Sequence, residues 1–192
     1  MMTNNSKDFN WALTEVSANS AGGAPFLIAY GVTFLITAIL SFFLPRPTAA
    51  IIVMFQGGLA LPAAFWLERK MGSSRMSSDN PLKALSAQMA MSQMLGLPLF
   101  ILVYSLNPGG MPLAMASLGG VHFFPYAWLH RTRIYAVFAF AVALGSLVIQ
   151  IFLESQAFSY ILLYVAFVYL ITAPLVYRHA ARLVRANVPA TV

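Results

Sequence analysis

The stretch IYAVFAFAVALGSLVIQIFLESQAFSYILLYVAFVYLITAPLVYR, residues 134–178, contains a single charged side chain, Glu154, before its closing arginine. A helix needs about 20 mainly apolar residues to cross the hydrocarbon of a bilayer. This stretch holds two such lengths, 134–153 and 158–177, separated by ESQA at 154–157. A short polar break between two runs of that length predicts antiparallel membrane helices joined by a tight reversal. Working outward, four more runs qualify, near 24–44, 48–67, 84–105 and 112–129. Two further connections carry turn chemistry, LPRP at 44–47 and LNPGG at 106–110, whereas ERKMGSSRMSSDNPLK at 68–83 is long, polar and serine-rich. The expected fold is therefore all-α, a six-helix transmembrane bundle over 24–177. A tail at 1–23 precedes it and a basic tail at 178–192 follows, with no second domain.

Composition leads to the same place. Charged residues are 8% of the chain, apolar residues 60% and aromatic residues 14%. Soluble domains carry about 25% charged residues, so a surface this poor in charge belongs in lipid. The basic residues set the orientation, because cytoplasmic loops carry the excess of Lys and Arg. Lys7, Arg69, Lys70, Arg75, Lys83, Arg131, Arg133, Arg178, Arg182 and Arg185 fall on one side of the alternation, and only Arg46 falls on the other. Both termini are expected in the cytoplasm. The net charge of +6 is too scattered for a nucleic-acid stripe. With no cysteine, disulfides, thiolate metal sites and cysteine nucleophiles are excluded.

Residues 1–23 lack the apolar core of a signal peptide. Phe9, Ala12, Leu13 and Val16 fall at helical spacing with Asp8 as a candidate cap. This segment is either an interfacial helix on the membrane surface or a frayed tail.

GGLALPAAFWLERK (57–70) and GGVHFFPYAWLHRTR (119–133) align at an offset of 62: the glycine pairs coincide, as do Trp66-Leu67 with Trp128-Leu129 and Arg69 with Arg131. A weaker version, APLVYRHAAR, lies at 173–182. Gly31, Gly96 and Gly145 precede Pro62, Pro125 and Pro174 by 31, 29 and 29 residues. Three hairpin repeats would produce this pattern. So would shared membrane constraints, because aromatic belts and basic flanks mark every cytoplasmic exit. On either reading Trp66, Trp128, Tyr177, Arg69, Arg131 and Arg133 are interface anchors, and the six glycines and prolines are candidate hinges.

His122 is not explained this way, since its counterpart at that offset is Ala60. It lies about seven residues inside its span, roughly 10 Å deep at 1.5 Å per residue. Tyr126 and Gly119 share its helical face, and Pro125 frees the carbonyl of Val121. An ionisable group at membrane depth marks a functional candidate, or it bonds a neighbouring helix and holds the bundle together. The third span, ALSAQMAMSQMLGLPLFILVYS, pairs Gln88 with Ser92 and Met89 with Gln93, while Gln56 and Gln150 lie in the second and fifth. These glutamines either line a polar path with His122 or cement helix contacts. Gly57, Gly58, Gly119 and Gly120 either bring helices close or leave room for a ligand. Met111 and Met115, an i, i+4 pair, suit Cu(I) or act as apolar filler.

No HExxH, GxSxG or Walker-type glycine loop occurs, and no span holds two carboxylates. No enzyme activity, cofactor or metal is expected. HFFPYAWLHRTRIY (122–135), set in a six-span chain of this length, resembles small bacterial integral membrane proteins of uncharacterised function. That resemblance implies a bacterial inner-membrane location and supplies no activity. The charged proline motifs of the mitochondrial carriers are absent. The expected function is a small transporter or channel-like protein for a neutral or weakly polar solute, with His122, Tyr126, Gln56, Gln88 and Gln93 lining the site. The alternative is a structural or accessory membrane protein with no substrate. Expected partners are the lipid bilayer, the solute, and a second copy or another membrane protein; nucleic acid is not expected.

Overall fold

A computed structural model describes residues 5–71 and 76–187, and Arg75 and residues 188–192 lie outside them. Among the described residues all regular structure is helical. The elements are α1 (Asn5–Asn19), α2 (Ala24–Ser41), α3 (Arg46–Phe55), α4 (Gly57–Met71), α5 (Lys83–Ser92), α6 (Leu97–Leu106), α7 (Met111–Phe123), α8 (Tyr126–Leu129), α9 (Ile134–Leu153) and α10 (Ala157–Asn187). Among the described residues four segments are long and apolar enough to cross a membrane: Ala21–Ser41, Arg46–Met71, Lys83–Leu106 and Ile134–Ala186. The last is a hairpin. It reverses at Glu154, where φ is 45°, and the Tyr164 hydroxyl donates to the carbonyl of Ala141 across the pair at 2.8 Å.

Three of the expected spans are interrupted. The second breaks at Gln56 between α3 and α4, and the third passes through a 3-10 turn, Gln93–Gly96, between α5 and α6. The fourth stops at Phe124–Pro125, because proline has no N–H to continue the ladder. The sixth runs past its expected end. No proline or glycine follows Pro174 in the described residues, so α10 carries Arg178, Arg182 and Arg185 as helix to Asn187 rather than as a separate tail.

Helix α10 is the axis of the bundle and packs against α2, α9, α7 and α1. Ile161, Leu162, Val165, Ala166, Tyr169 and Val176 are buried along it. Glycine permits the close approaches. At Gly31 an added Cβ would lie 2.8 Å from Leu170, and at Gly120 it would lie 2.7 Å from the Ala139 carbonyl oxygen. Gly145 meets Tyr164 and Gly96 meets Leu118 in the same way, so the three glycines considered as hinges are points of tight helix contact. Large apolar side chains also cover the outside. Phe43, Leu95 and Phe152 are each about 80% exposed, a distribution suited to lipid rather than water.

The tail stripe docks on protein. Ala12, Leu13 and Val16 are buried with Leu82 and Leu129, and the Phe9 ring lies 5.7 Å from that of Trp128. The stripe is thus helical and covered by protein. Asp8 falls inside the first turns of α1 rather than at its cap. Polar contacts hold the arrangement: Asn80 Nδ2 donates to Ala12 O at 3.1 Å and to the Glu15 carboxylate at 2.6 Å, and the Ser77 amide donates to the same carboxylate at 3.1 Å. Burial alone would raise the Glu15 pKa, but the bonds from Ser77 and Asn80 outweigh it and hold the carboxyl below its usual range. The chain enters α2 through Gly22 and Gly23, whose φ values of 67° and 81° suit glycine.

Candidate functional site

The break at Pro125 places His122 and Tyr126 in adjoining helices that share one wall. Their ring centroids are 5.5 Å apart, and His122 lies edge-on to Phe123 at 5.1 Å. Helix α8 is a single turn. It ends where Arg131 adopts φ 51°, and the Thr132 hydroxyl accepts from the Ile134 amide to start α9. The basic cluster read as an exit signal is thus also a sharp reversal.

His122 Nδ1 is 3.2 Å from Ser92 Oγ, which itself donates to the Met89 carbonyl at 2.7 Å. A hydroxyl has one proton, so with that proton on the Met89 carbonyl the contact is made by an Nδ1–H of His122 and Nε2 is an acceptor. The ring therefore ties α7 to α5 with one edge and keeps the other for a donor.

His122 and Tyr126 line a cavity of about 390 Å³ together with Gln93, which precedes Gly96 in the 3-10 turn. Phe26 and Tyr30 of α2, Phe65 of α4, and Phe123 and Tyr135 enclose it. Phe26 and Phe65 meet edge to face at 5.4 Å. Glu68 and Lys83 supply its formal charges.

The other candidates lie elsewhere. Gln56 is buried, its Oε1 3.3 Å from Thr37 Oγ1 of α2, a hydroxyl shared with the Thr33 carbonyl at 2.8 Å, and its Nε2 has no partner among the described residues. Gln88 is exposed on α5. Gln150 borders a second cavity of about 560 Å³ with Arg46, Asn107 and Glu154, where the three short connections meet. There the Arg46 guanidinium donates to the Ser155 carbonyl, joining two of those connections. Met111 and Met115 are buried in the apolar core. Among the glycine pairs, Gly57 and Gly119 face the hydroxyls of Tyr30 and Tyr169, while Gly58 has open space around it.

His130, which the sequence reading did not single out, is more deeply placed than His122. It is 2% exposed and lies between the rings of Tyr126 and Tyr135 at centroid distances of 5.8 and 5.4 Å. Its Nδ1 is 3.1 Å from Ser17 Oγ, and its carbonyl accepts from His179 Nε2 at 3.1 Å. Burial, reinforced by the nearby His179, pushes its pKa down to about 3, so the ring is neutral at physiological pH. Tyr135 donates to the Gly22 carbonyl at 2.6 Å, and an added Cβ at Gly23 would collide with its hydroxyl. The i, i+4 relation of Tyr126 and His130 was legible in the sequence. The partners at Ser17 and His179 were not.

The model of a family described as a family of unknown function (DUF7010) matches residues 9–179. No curated protein and no solved structure matches the chain.

Proposed function

We propose a function from the premise that the chain belongs to DUF7010, a family of unknown function. The protein is a six-span protein of a bacterial inner membrane with both termini in the cytoplasm, and it binds a small neutral or weakly polar solute as a transporter or channel. It performs no covalent chemistry. One observation carries this reading: side chains from α2, α4, α5, α7, α8 and α9 converge on one cavity around His122 and Tyr126. Apolar walls with a few convergent polar groups are what small-molecule sites present. Movement would proceed about the helix interruptions at Gln93–Gly96 and Pro125 and about Pro62 and Pro174 within α4 and α10.

A structural or accessory role has its own support. Gln56 bonds Thr37 across a helix contact, Gln88 stays outside the cavity, and His122 itself bonds Ser92. The two readings separate in a thermal-unfolding screen of detergent-purified protein against small metabolites and ions, with His122→Ala alongside. A ligand of the folded form raises stability by about 2.7 kcal/mol at a hundred times its dissociation constant. Solute binding predicts a compound that stabilises the native protein and loses its effect in the folded variant. A screen without any stabilising compound, with His122→Ala merely less stable, supports the accessory role.

A further inference from the structure

The cavity presents two opposite charges that no other described residue pairs. Glu68 projects from α4 and Lys83 from the first residue of α5, and both line the cavity. Neither side chain has a hydrogen-bond or ion-pair partner among the described residues, and the two are not paired with each other. Glu68 is half-buried. A carboxylate drawn out of water without a partner costs free energy that a bound cation recovers. The position of Lys83 is built in: the Leu82 amide donates to Asn80 Oδ1 at 2.9 Å and the Lys83 amide to Asn80 O at 3.1 Å, while Asn80 is clamped to α1. The same cavity is walled by Phe26, Tyr30, Phe65 and Phe123. Their faces favour an apolar body and an ammonium. A singly charged solute would meet a like charge at Lys83 or at Glu68, and such juxtapositions are disfavoured.

We propose that the solute of this cavity is a zwitterion with an apolar body, its ammonium held by Glu68 and the aromatic rings and its anionic group by Lys83. This rests on the solute-binding reading and names the solute's class. Two sources share the chemistry: a free aromatic α-amino acid, and the head group of an aminophospholipid entering from the cytoplasmic leaflet. The cavity volume of about 390 Å³ falls within the ~300–1,000 Å³ typical of small-molecule sites.

The test is thermal unfolding of the full chain in detergent, titrated with phenylalanine, phenethylamine, 3-phenylpropanoate and a short-chain phosphatidylethanolamine. Phenylalanine or the phospholipid should bind at least about tenfold more tightly than either singly charged analogue, since a charge-assisted hydrogen bond is worth that much. Response to phenylalanine alone identifies the free amino acid, and response to the phospholipid alone identifies the head group. Glu68→Gln and Lys83→Gln should each abolish the preference, and exposed Lys83 can be changed without disturbing the core. The inference falls if phenethylamine or phenylpropanoate binds as well as the zwitterion. It falls equally if both variants keep the preference. If these four probes fail while another compound shows the His122-dependent effect, the zwitterion is wrong and solute binding stands. If nothing binds, both fall.

Discussion

His130 brings side chains of α1, α8, α9 and α10 to one buried position. Its ring touches α1 through Ser17 and stacks on α8 and α9 through Tyr126 and Tyr135, while its carbonyl receives His179 of α10. Its folded pKa of about 3 lies below the ordinary value of 6.5. The unfolded chain therefore binds more protons between those two values, and stability rises with pH across that window. Acidifying from pH 6.5 to 5 should cost on the order of 2 kcal/mol through this group. Unfolding midpoints of the native protein and His130→Gln, measured from pH 7.5 to 5, should diverge at neutral pH and converge on acidification. Parallel curves would show that the buried imidazole does not resist protonation. Glu15 works in the same direction lower on the scale: its depressed pKa adds stability above its ordinary value of 4.5 that is lost as pH falls through the folded one.

At the scale of elements, the glycine pairs distinguish packing from spacing. Gly120 lies against the backbone of α9, with its missing Cβ 2.7 Å from Ala139 O and 2.9 Å from Ala143 Cβ. Gly120→Ala should force α7 and α9 apart and cost about 1–3 kcal/mol. Gly58 has nothing within 4 Å, so Gly58→Ala should be neutral or stabilising by up to about 1 kcal/mol. Thermal unfolding in one detergent measures both, and equal effects would contradict this geometry. The two aligned segments also differ in where they break, at Gln56 before the first glycine pair and at Pro125 after the second. Proline at i+3 from His122 announced the second break. The first has no comparable local signal, because Gln56 is held by Thr37 from another helix.

For the whole molecule, topology is the property to test. A chain with no cysteine has no labelling background. Ser155→Cys, in the exposed turn between α9 and α10, should react with a membrane-impermeant maleimide on intact cells. Ser78→Cys, exposed in the connection between α4 and α5, should react only after lysis. The opposite pattern would invert the proposed orientation.

Helical class came from the sequence by itself, whereas the interruptions within the runs at 48–67 and 84–105 did not. A helix closes its hydrogen bonds within a few residues and lipid demands uninterrupted apolar length, so both requirements are written locally. His122, Tyr126 and Gln93 could also be picked out, because polar side chains within apolar runs stand out by composition. The tertiary structure alone decided which of them meet. Gln56 and Gln88 fit the same description yet lie apart from the cavity, and His130, Glu68 and Lys83 came to it from stretches that read as flanks. The docking of α1 on Asn80, Leu82 and Leu129 was equally hidden. Its stripe fits lipid and protein alike, and only the shape of the opposing surface, assembled from distant segments, makes the choice.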